Sequence, residues 1–247
     1  MKRIVFPEKW TCDEWYGFKR YHFEFENCKA WIVEPEFAAA DGRWSWCTVW
    51  PEAYVKRVGI VDLLEHGFYH VHIDAFAFRA SPEGVALMGR FHDFLVSLGL
   101  SAKANLIGMS WGGFFSLRYA ETFPERIAAL YLDAPLCNAA DPASNGSART
   151  QSILENYGLT FEEMSNSKLN PINNVAALVN ARIPLMAAIG ETDQSVDNDT
   201  NFNLLEKRII ELGGTINTTR RKFWGHHPHG FDDTEPLLAF HCAAREE

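Results

Sequence analysis

The sequence predicts an α/β protein with a mostly parallel sheet and helices on both faces. Apolar runs of strand length alternate with longer helical patterns, which is typical of this class. The chain has 247 residues, of which 47% are hydrophobic and 22% charged, so it can bury one full core. Neither internal repeats nor low-complexity tracts interrupt the pattern. We therefore interpret residues 1–247 as a single domain.

The predicted strands come in two groups. Three short strands, some of which we expect to pair antiparallel, come first: His22–Phe25, Ala30–Glu34 and Trp44–Cys47. Five more follow: Phe68–Asp74, Ala104–Met109, Ile127–Asp133, Pro184–Ile189 and Thr215–Phe223.

Helical patterns separate the strands: Ala53–His66, Pro82–Leu98, Gly112–Thr122, Asn201–Leu212 and Thr234–Ala244. Ser81 followed by Pro82 is a favourable helix start, because a capping residue precedes proline in the first turn. Gly99 and Gly213 suit helix ends.

One segment departs from this alternation. Residues Leu136–Arg182 are polar and rich in Ala, Asn and Ser, with helical pieces near Thr150–Tyr157 and Phe161–Ser165. An insertion of this size between two central strands is typical of a lid or cap over a pocket. A surface excursion without a role is the alternative. We predict a cap insertion at about residues 136–182.

Composition excludes several classes of partner. With 23 Lys+Arg against 32 Asp+Glu, the net charge is −9, which argues against a general nucleic-acid binder. The basic cluster Arg220–Lys222 is too short to reverse this. No apolar run approaches the roughly 18–20 residues that span a bilayer, so no membrane partner is expected.

The N-terminus and the cysteines predict a cytoplasmic protein. Residues Met1–Pro7 include two basic side chains, but no hydrophobic segment or cleavage site of a signal peptide follows. The five cysteines are scattered, odd in number and without a CxxC pair, which favours isolated thiols in a reducing compartment.

The sharpest motif is Gly108-Met109-Ser110-Trp111-Gly112, a GxSxG sequence between a predicted strand and a predicted helix. In this context GxSxG forms a nucleophile elbow, in which a tight turn projects one serine above the sheet. Glycines are required because larger side chains would collide across the strained turn. We predict that Ser110 is a catalytic nucleophile.

A nucleophilic serine needs a base, and the base needs an orienting acid. Asp193 follows the strand Pro184–Ile189 and is our choice of acid. Asp133, which ends the preceding strand, is the main alternative, because an acid in this chain order can follow either strand. Asp197 and Glu191 are weaker candidates.

The base lies in the loop Gly225-His226-His227-Pro228-His229-Gly230, which follows the last predicted strand. His226 is favoured because it comes directly after glycine, and His229 is the alternative. The HxxH spacing of these two histidines offers two metal ligands, but no nearby carboxylate or cysteine set completes a site. The sequence therefore predicts no metal and no other cofactor.

The oxyanion of an acyl-transfer intermediate needs backbone donors. The Trp111 amide is one, and a loop after the third predicted strand would supply the second, near Trp46 and Cys47. The indoles of Trp44, Trp46, Trp111 and others could line the pocket mouth, where aromatic faces suit sugar rings or acyl groups. The alternative is that Trp44 and Trp46, two positions apart, fill the core.

These residues resemble the α/β-hydrolase superfamily over nearly the whole chain, in the order elbow, acid, histidine. More narrowly, the chain is similar to small bacterial hydrolases related to the prolyl-oligopeptidase-like esterases. The similar stretches are Gly42–Trp50, Leu64–Phe68, Ile73-Asp74, Gly108–Gly113, Tyr131–Pro135, Asn170–Asn174 and Gly225–Gly230. The resemblance implies ester hydrolysis, with deacetylation of a plant-derived sugar as one such task.

Two positions depart from that group, in which Arg commonly follows the serine and commonly stands where this chain has Cys47. Here Trp111 and Cys47 replace those charges. If the arginines bind an anionic or polar group of the substrate, this chain is expected to prefer a more apolar one.

The sequence thus predicts a cofactor-free serine esterase with the α/β-hydrolase fold, acting on a small-molecule ester with a short acyl group, such as an acetylated sugar. Two alternatives remain. One is a peptidase of the prolyl-oligopeptidase-like type, although such peptidases usually carry a large additional domain. The other is a non-enzymatic ligand-binding protein on the same fold. No oligomeric state follows from the sequence.

Overall fold

The computed structural model describes residues 4–244, and within them nine strands form one sheet in the order β1-β2-β3-β5-β4-β6-β7-β8-β9. The strands are β1 Thr11–Trp15, β2 Phe18–Phe25, β3 Cys28–Glu34, β4 Trp44–Cys47, β5 Tyr69–Ile73, β6 Ala104–Met109, β7 Ile127–Asp133, β8 Leu185–Gly190 and β9 Asn217–Arg221. β1, β2, β3 and β5 pair antiparallel, and all other pairs are parallel. The predicted fold class is confirmed, as is the antiparallel start.

Eight α-helices lie in the described chain: α1 Ile60–Glu65, α2 Pro82–Ser97, α3 Trp111–Thr122, α4 Ala148–Tyr157, α5 Phe161–Asn166, α6 Ala176–Asn180, α7 Phe202–Glu211 and α8 Glu235–Ala243. Most agree with prediction, but α1 begins seven residues later than Ala53 because Gly59, its N-cap, has a φ of 74°. The left-handed conformation of Tyr54, with φ 54°, also interrupts a continuous helix.

Two apolar clusters cover the two faces of the sheet. The larger contains Trp44 and Trp46 of β4 together with Phe91 of α2 and Tyr119 of α3. The smaller contains Cys47 of β4 and packs under α1 and α8. Because side chains alternate along a strand, β4 sends its tryptophans to one face and Cys47 to the other.

The segment between β7 and β8 is helical and includes α4, α5 and α6. The helices predicted at Thr150–Tyr157 and Phe161–Ser165 are confirmed. Ile153 and Met164 are buried in the larger apolar cluster, so the segment packs on the sheet domain through apolar side chains. Its function as a cap stays a prediction.

Among residues 4–244, no helix has both the length and the apolar character required to cross a membrane.

Candidate active site

The turn between β6 and α3 presents Ser110. This residue has φ 51° and ψ −117°, a backbone conformation that side-chain-bearing residues rarely adopt. A Cβ on Gly108 would lie 2.9 Å from the Gly112 carbonyl oxygen, and one on Gly113 would lie 2.4 Å from the Pro135 Cβ. The turn can therefore form only because glycine occupies these positions.

His226 joins Ser110 to Asp193. The Ser110 hydroxyl donates to His226 Nε2 at 2.9 Å, with the other ring nitrogen, Nδ1, donating to Asp193 Oδ2 at 2.7 Å. The three residues come from loops that follow β6, β8 and β9. With β7, which lies between β6 and β8, these strands run parallel, so their carboxyl ends lie at one edge of the sheet. The arrangement is that of a nucleophile, a base and an orienting acid.

The side chain of Asp193 is buried and accepts from several donors. Its side chain is 1% exposed, and its Oδ1 accepts the amides of Ser195 at 2.7 Å and Val196 at 3.0 Å. Burial opposes ionisation of the carboxyl group, but the hydrogen bonds from His226 and from these two amides outweigh it and lower the pKa of Asp193. The carboxylate is thus ionised at neutral pH.

The alternative acid and base of the sequence analysis form a second pair. His229 Nδ1 donates to Asp133 Oδ1 at 2.7 Å, and the Gly230 amide donates to Asp133 Oδ2 at 2.8 Å. The hydroxyl of Tyr131 donates to the same oxygen, and Arg221 is 3.7 Å from it. Asp133 and His229 are 1% and 3% exposed, and their pair holds the histidine loop against the end of β7.

Sequence reasoning did not find this second pair, although its signal was present. Asp133 ends one central strand and His229 lies in the same loop as His226. The other two acids considered earlier do not reach the histidines by a hydrogen bond in the described structure. Asp197 instead accepts from the Thr200 amide at 2.9 Å, and Glu191 is exposed.

Three histidine rings meet beside Ser110. One ligand nitrogen from each of His226, His227 and His229 lies within 4.8 Å of the other two. His227 is exposed, whereas His229 is buried. A divalent transition metal is the type of ion that such an imidazole set could bind.

The loop after β4 packs against the start of α3. The Thr48 hydroxyl donates to the Gly112 carbonyl oxygen at 2.9 Å, and a Cβ on Gly112 would lie 3.6 Å from the Val49 amide nitrogen. The Trp111 amide is in the first turn of α3, where backbone N–H groups have no partner within the helix. Backbone donors from two segments thus approach the Ser110 turn.

Trp46 and Cys47 do not lie at this site, contrary to the prediction. Both side chains are 0% exposed. Trp46 packs edge-on against Phe91 and Tyr119, with ring centroids 5.6 and 5.2 Å apart, and the Cys47 thiol donates to the Val49 carbonyl oxygen at 3.1 Å. Because side chains alternate along β4, Trp46 lies in the larger apolar cluster and Cys47 in the smaller one. Trp44 lies beside Trp46 in the larger cluster, so the alternative that these two tryptophans fill the core is correct.

Other aromatic residues border the Ser110 turn. Phe76 contacts Trp50 and Trp111, each with ring centroids 5.4 Å apart. The guanidinium of Arg79 lies 4.1 Å from the Phe76 ring centroid and 5.7 Å from that of Trp111. Phe76 and Arg79 lie in a loop after β5 that carries no motif, so the sequence did not indicate them.

A cavity of about 490 Å³ adjoins this aromatic group. Its walls include Val49, Trp50 and Phe76 from the two segments that pack near α3, and Trp31 from β3. Polar side chains also face it: His22, Lys29, Glu52, His72 and Asp74. A mostly apolar cavity with a few polar groups is typical of a small-molecule site.

Comparison with known proteins gives a family match. A family model described as alpha/beta hydrolase fold matches residues 38–171, just over half of the chain. No curated protein sequence matches this chain.

Solved structures with the same fold include esterases and peptidases. Acetyl xylan esterase from Paenibacillus sp. R4 is 16% identical with a TM-score of 0.67, and the match covers 96% of this chain and 88% of that chain. S-formylglutathione hydrolase from Agrobacterium tumefaciens is 16% identical with a TM-score of 0.65, and the match covers 95% of this chain and 98% of that chain. Acylaminoacyl peptidase from Pyrococcus horikoshii is 16% identical with a TM-score of 0.64, and the match covers 85% of this chain but 37% of that chain. The chain spans between 35% and 37% of three longer chains that it matches, this peptidase among them.

Proposed function

The chain belongs to the alpha/beta hydrolase fold family, and from this premise we propose that it is a serine hydrolase that cleaves small carboxylic esters. The observation that supports this most strongly is the unbroken series of hydrogen bonds from Asp193 through His226 to Ser110, at 2.7 and 2.9 Å. A protein that only binds a ligand has no need of a base and an ionised acid behind a strained serine.

In the first half of the proposed reaction, the Ser110 oxygen attacks the acyl carbon and its proton passes to His226 Nε2. Asp193 stabilises the imidazolium and holds the ring in the required tautomer. The oxyanion accepts hydrogen bonds from the Trp111 amide and from an amide of the segment Thr48–Trp50. His226 then protonates the departing alkoxide, which leaves an acyl group on Ser110.

In the second half, a water molecule takes the place of the alcohol. His226 removes a proton from the water as its oxygen attacks the acyl carbon, and the second tetrahedral intermediate returns Ser110 as leaving group. Ser110 recovers its proton from His226, and the products are the free acid and the regenerated enzyme. No step needs a cofactor.

The cavity suggests the substrate class, because Phe76 in its wall contacts Trp111, the residue next to Ser110. Trp50 and Phe76 offer flat apolar surfaces, and Asp74, Glu52 and Lys29 offer hydrogen-bonding groups at its wall. This combination suits the alcohol part of an ester that has both a ring and hydroxyl groups, such as an acetylated sugar. The structural similarity to an acetyl xylan esterase makes acetylated xylo-oligosaccharides the first natural substrates to test.

The experiment compares hydrolysis of p-nitrophenyl acetate, butyrate and octanoate by wild type, Ser110→Ala and a matched control, Ser97→Ala, on the exposed end of α2. We expect the highest kcat/KM with acetate, no activity above background for Ser110→Ala, and unchanged activity for Ser97→Ala. Equal activity of wild type and Ser110→Ala would contradict the proposal. Cleavage of aminoacyl p-nitroanilides together with no hydrolysis of the three esters would contradict an esterase and indicate a peptidase.

A further inference from the structure

We propose that His226, His227 and His229 form a binding site for Zn²⁺ or Cu²⁺, and that the bound ion inhibits the enzyme by occupying the base. The site follows from the positions of the three imidazoles, whose ligand nitrogens lie within 4.8 Å of one another. The inhibition, but not the binding, rests on the function proposed above.

Two of the three histidines are already oriented as metal ligands. His226 Nδ1 donates to Asp193 and His229 Nδ1 donates to Asp133, both at 2.7 Å. Histidines that bind metals commonly donate one ring N–H to a carboxylate, which fixes the tautomer and leaves the other nitrogen free to coordinate. In both residues the nitrogen that does not face the carboxylate is Nε2. The Nε2 of His226 accepts from the Ser110 hydroxyl at 2.9 Å, so a bound ion replaces this hydrogen bond.

The distances leave little movement to be made. One ring nitrogen of each histidine lies within 4.8 Å of one ring nitrogen of the other two. Two nitrogens bound to one tetrahedral Zn²⁺ are about 3.3 Å apart, so these nitrogens need to approach by about 1.5 Å at most. His227 can make this movement because it is exposed, and its ring contacts are with Tyr54, at a centroid distance of 5.8 Å, and with the other two histidines of the site, at 4.8 and 4.9 Å. An ion arriving from solvent would meet His227 first.

The ligand set determines which ions bind. Three imidazoles suit Zn²⁺, Cu²⁺ and Ni²⁺, whereas Mg²⁺ and Ca²⁺ prefer oxygen ligands. Neither nearby carboxylate is offered to the ion, because the oxygens of Asp193 and Asp133 accept hydrogen bonds from the histidines and from backbone amides. A water molecule or Ser110 Oγ, which is 2.9 Å from His226 Nε2, can take the fourth position.

Occupancy of this site stops the proposed reaction. The lone pair of His226 Nε2 that would accept the Ser110 proton is then donated to the ion. No covalent bond of the protein changes, so a chelator removes the ion and restores the base. Inhibition is therefore expected to be reversible.

The binding experiment is calorimetric titration of ZnCl₂, with MgCl₂ as the comparison, into untagged wild-type protein and three variants. His227→Gln removes the exposed ligand, His66→Gln is the matched control at another exposed histidine, and Ser110→Ala removes the nucleophile. We expect one Zn²⁺ per chain in wild type, His66→Gln and Ser110→Ala, affinity lowered by about tenfold or more in His227→Gln, and no Mg²⁺ binding. Equal affinity in His227→Gln and wild type would overturn the site.

The activity experiment measures p-nitrophenyl acetate hydrolysis with increasing ZnCl₂ and then with EDTA, each rate relative to the variant's own metal-free rate. Wild type and His66→Gln are expected to lose activity at the Zn²⁺ concentrations that saturate the site and to recover it with EDTA, whereas His227→Gln needs about tenfold more Zn²⁺. Saturated wild type that keeps its full rate would overturn the inhibition. Absence of ester hydrolysis together with Zn²⁺ binding that requires His227 would overturn the proposed function and leave the metal site standing.

Discussion

At the scale of single residues, two Asp–His pairs of the same chemistry lie side by side and differ in what they reach. Asp193 orients His226, whose other nitrogen accepts from Ser110 at 2.9 Å. Asp133 binds His229 and also accepts from Tyr131 and Gly230, which are structural groups of β7 and of the loop. We therefore propose that the first pair serves catalysis and that the second positions the loop.

This proposal predicts different effects of two matched substitutions, one mainly on kcat and the other mainly on stability. Asp193→Asn is expected to lower kcat by about 10⁴, because the imidazole loses its tautomer and the imidazolium loses its stabilising charge. Asp133→Asn is expected to lower kcat less but to cost about 1–3 kcal/mol of unfolding free energy, because a buried acceptor is lost. Steady-state kinetics and urea unfolding of both variants test this. A larger kcat loss in Asp133→Asn would reverse the assignment.

Sequence reasoning singled out Ser110 and favoured Asp193 and His226. It could not exclude Asp133 as the acid or His229 as the base. The elbow motif singles out the serine, because strand, glycines and helix all constrain it. An acid after either of two adjacent strands, and either of two histidines in one loop, satisfies the same chain order. Only the contacts show that the four side chains sort into two pairs, so this choice depended on tertiary structure.

At the scale of elements, β4 shows why a tryptophan-rich strand is ambiguous in sequence. Trp44 and Trp46 share a face, but period two does not say whether that face is the core or the pocket. The position of β4 between β5 and β6, with helices on both sides, buries both faces. The tryptophan of this segment that does border the cavity is Trp50, which lies beyond the end of the strand and is 44% exposed.

Substitution of Trp46 and of Trp50 should therefore separate an effect on stability from an effect on substrate binding. Trp46→Ala is expected to cost about 3–5 kcal/mol of unfolding free energy, because it opens a cavity in the core. Trp50→Ala is expected to change unfolding free energy by less than about 1 kcal/mol and to raise KM. Chemical unfolding and kinetics with a sugar acetate measure both. A raised KM in Trp46→Ala but not in Trp50→Ala would indicate that Trp46 lies at the pocket, as the sequence analysis expected.

The bounds of the central elements were predictable and those of the periphery were not. The predicted bounds of β6 and β7 equal the observed ones, because these strands are apolar and end at a glycine-rich turn or an aspartate. β1 was missed because four of its five residues are exposed at the sheet edge, so no apolar alternation marks it.

At the scale of the whole molecule, buried histidines link stability to pH. Burial lowers the pKa of His70 and of His241 to about 3 and that of His92 to about 4, from the ordinary histidine value of 6.5. These side chains are neutral in the native state at neutral pH. Below pH 6.5 the unfolded chain binds protons that the native state does not, so unfolding becomes more favourable.

Stability is therefore expected to be highest above pH 6.5 and to fall as the pH decreases toward 4. Each of the most deeply buried histidines should contribute a loss of about 2 kcal/mol between pH 7.5 and 5. Urea unfolding at pH 7.5, 6 and 5 measures the loss. It should be smaller in His241→Gln than in wild type and unchanged in the control His66→Gln; the same pH dependence in all three proteins would refute the explanation.

The fold class followed from the alternation of strands and helices, whereas the convergence of three loops at one edge required the strand order. We propose that this convergence activates Ser110. The most direct test is reaction with a fluorophosphonate probe, with mass spectrometry locating the adduct in wild type and in His226→Ala. We predict stoichiometric labelling of Ser110 in wild type and a loss of at least about 10³ in labelling rate in His226→Ala. Absence of an adduct on Ser110, or equal rates in the two proteins, would contradict the account.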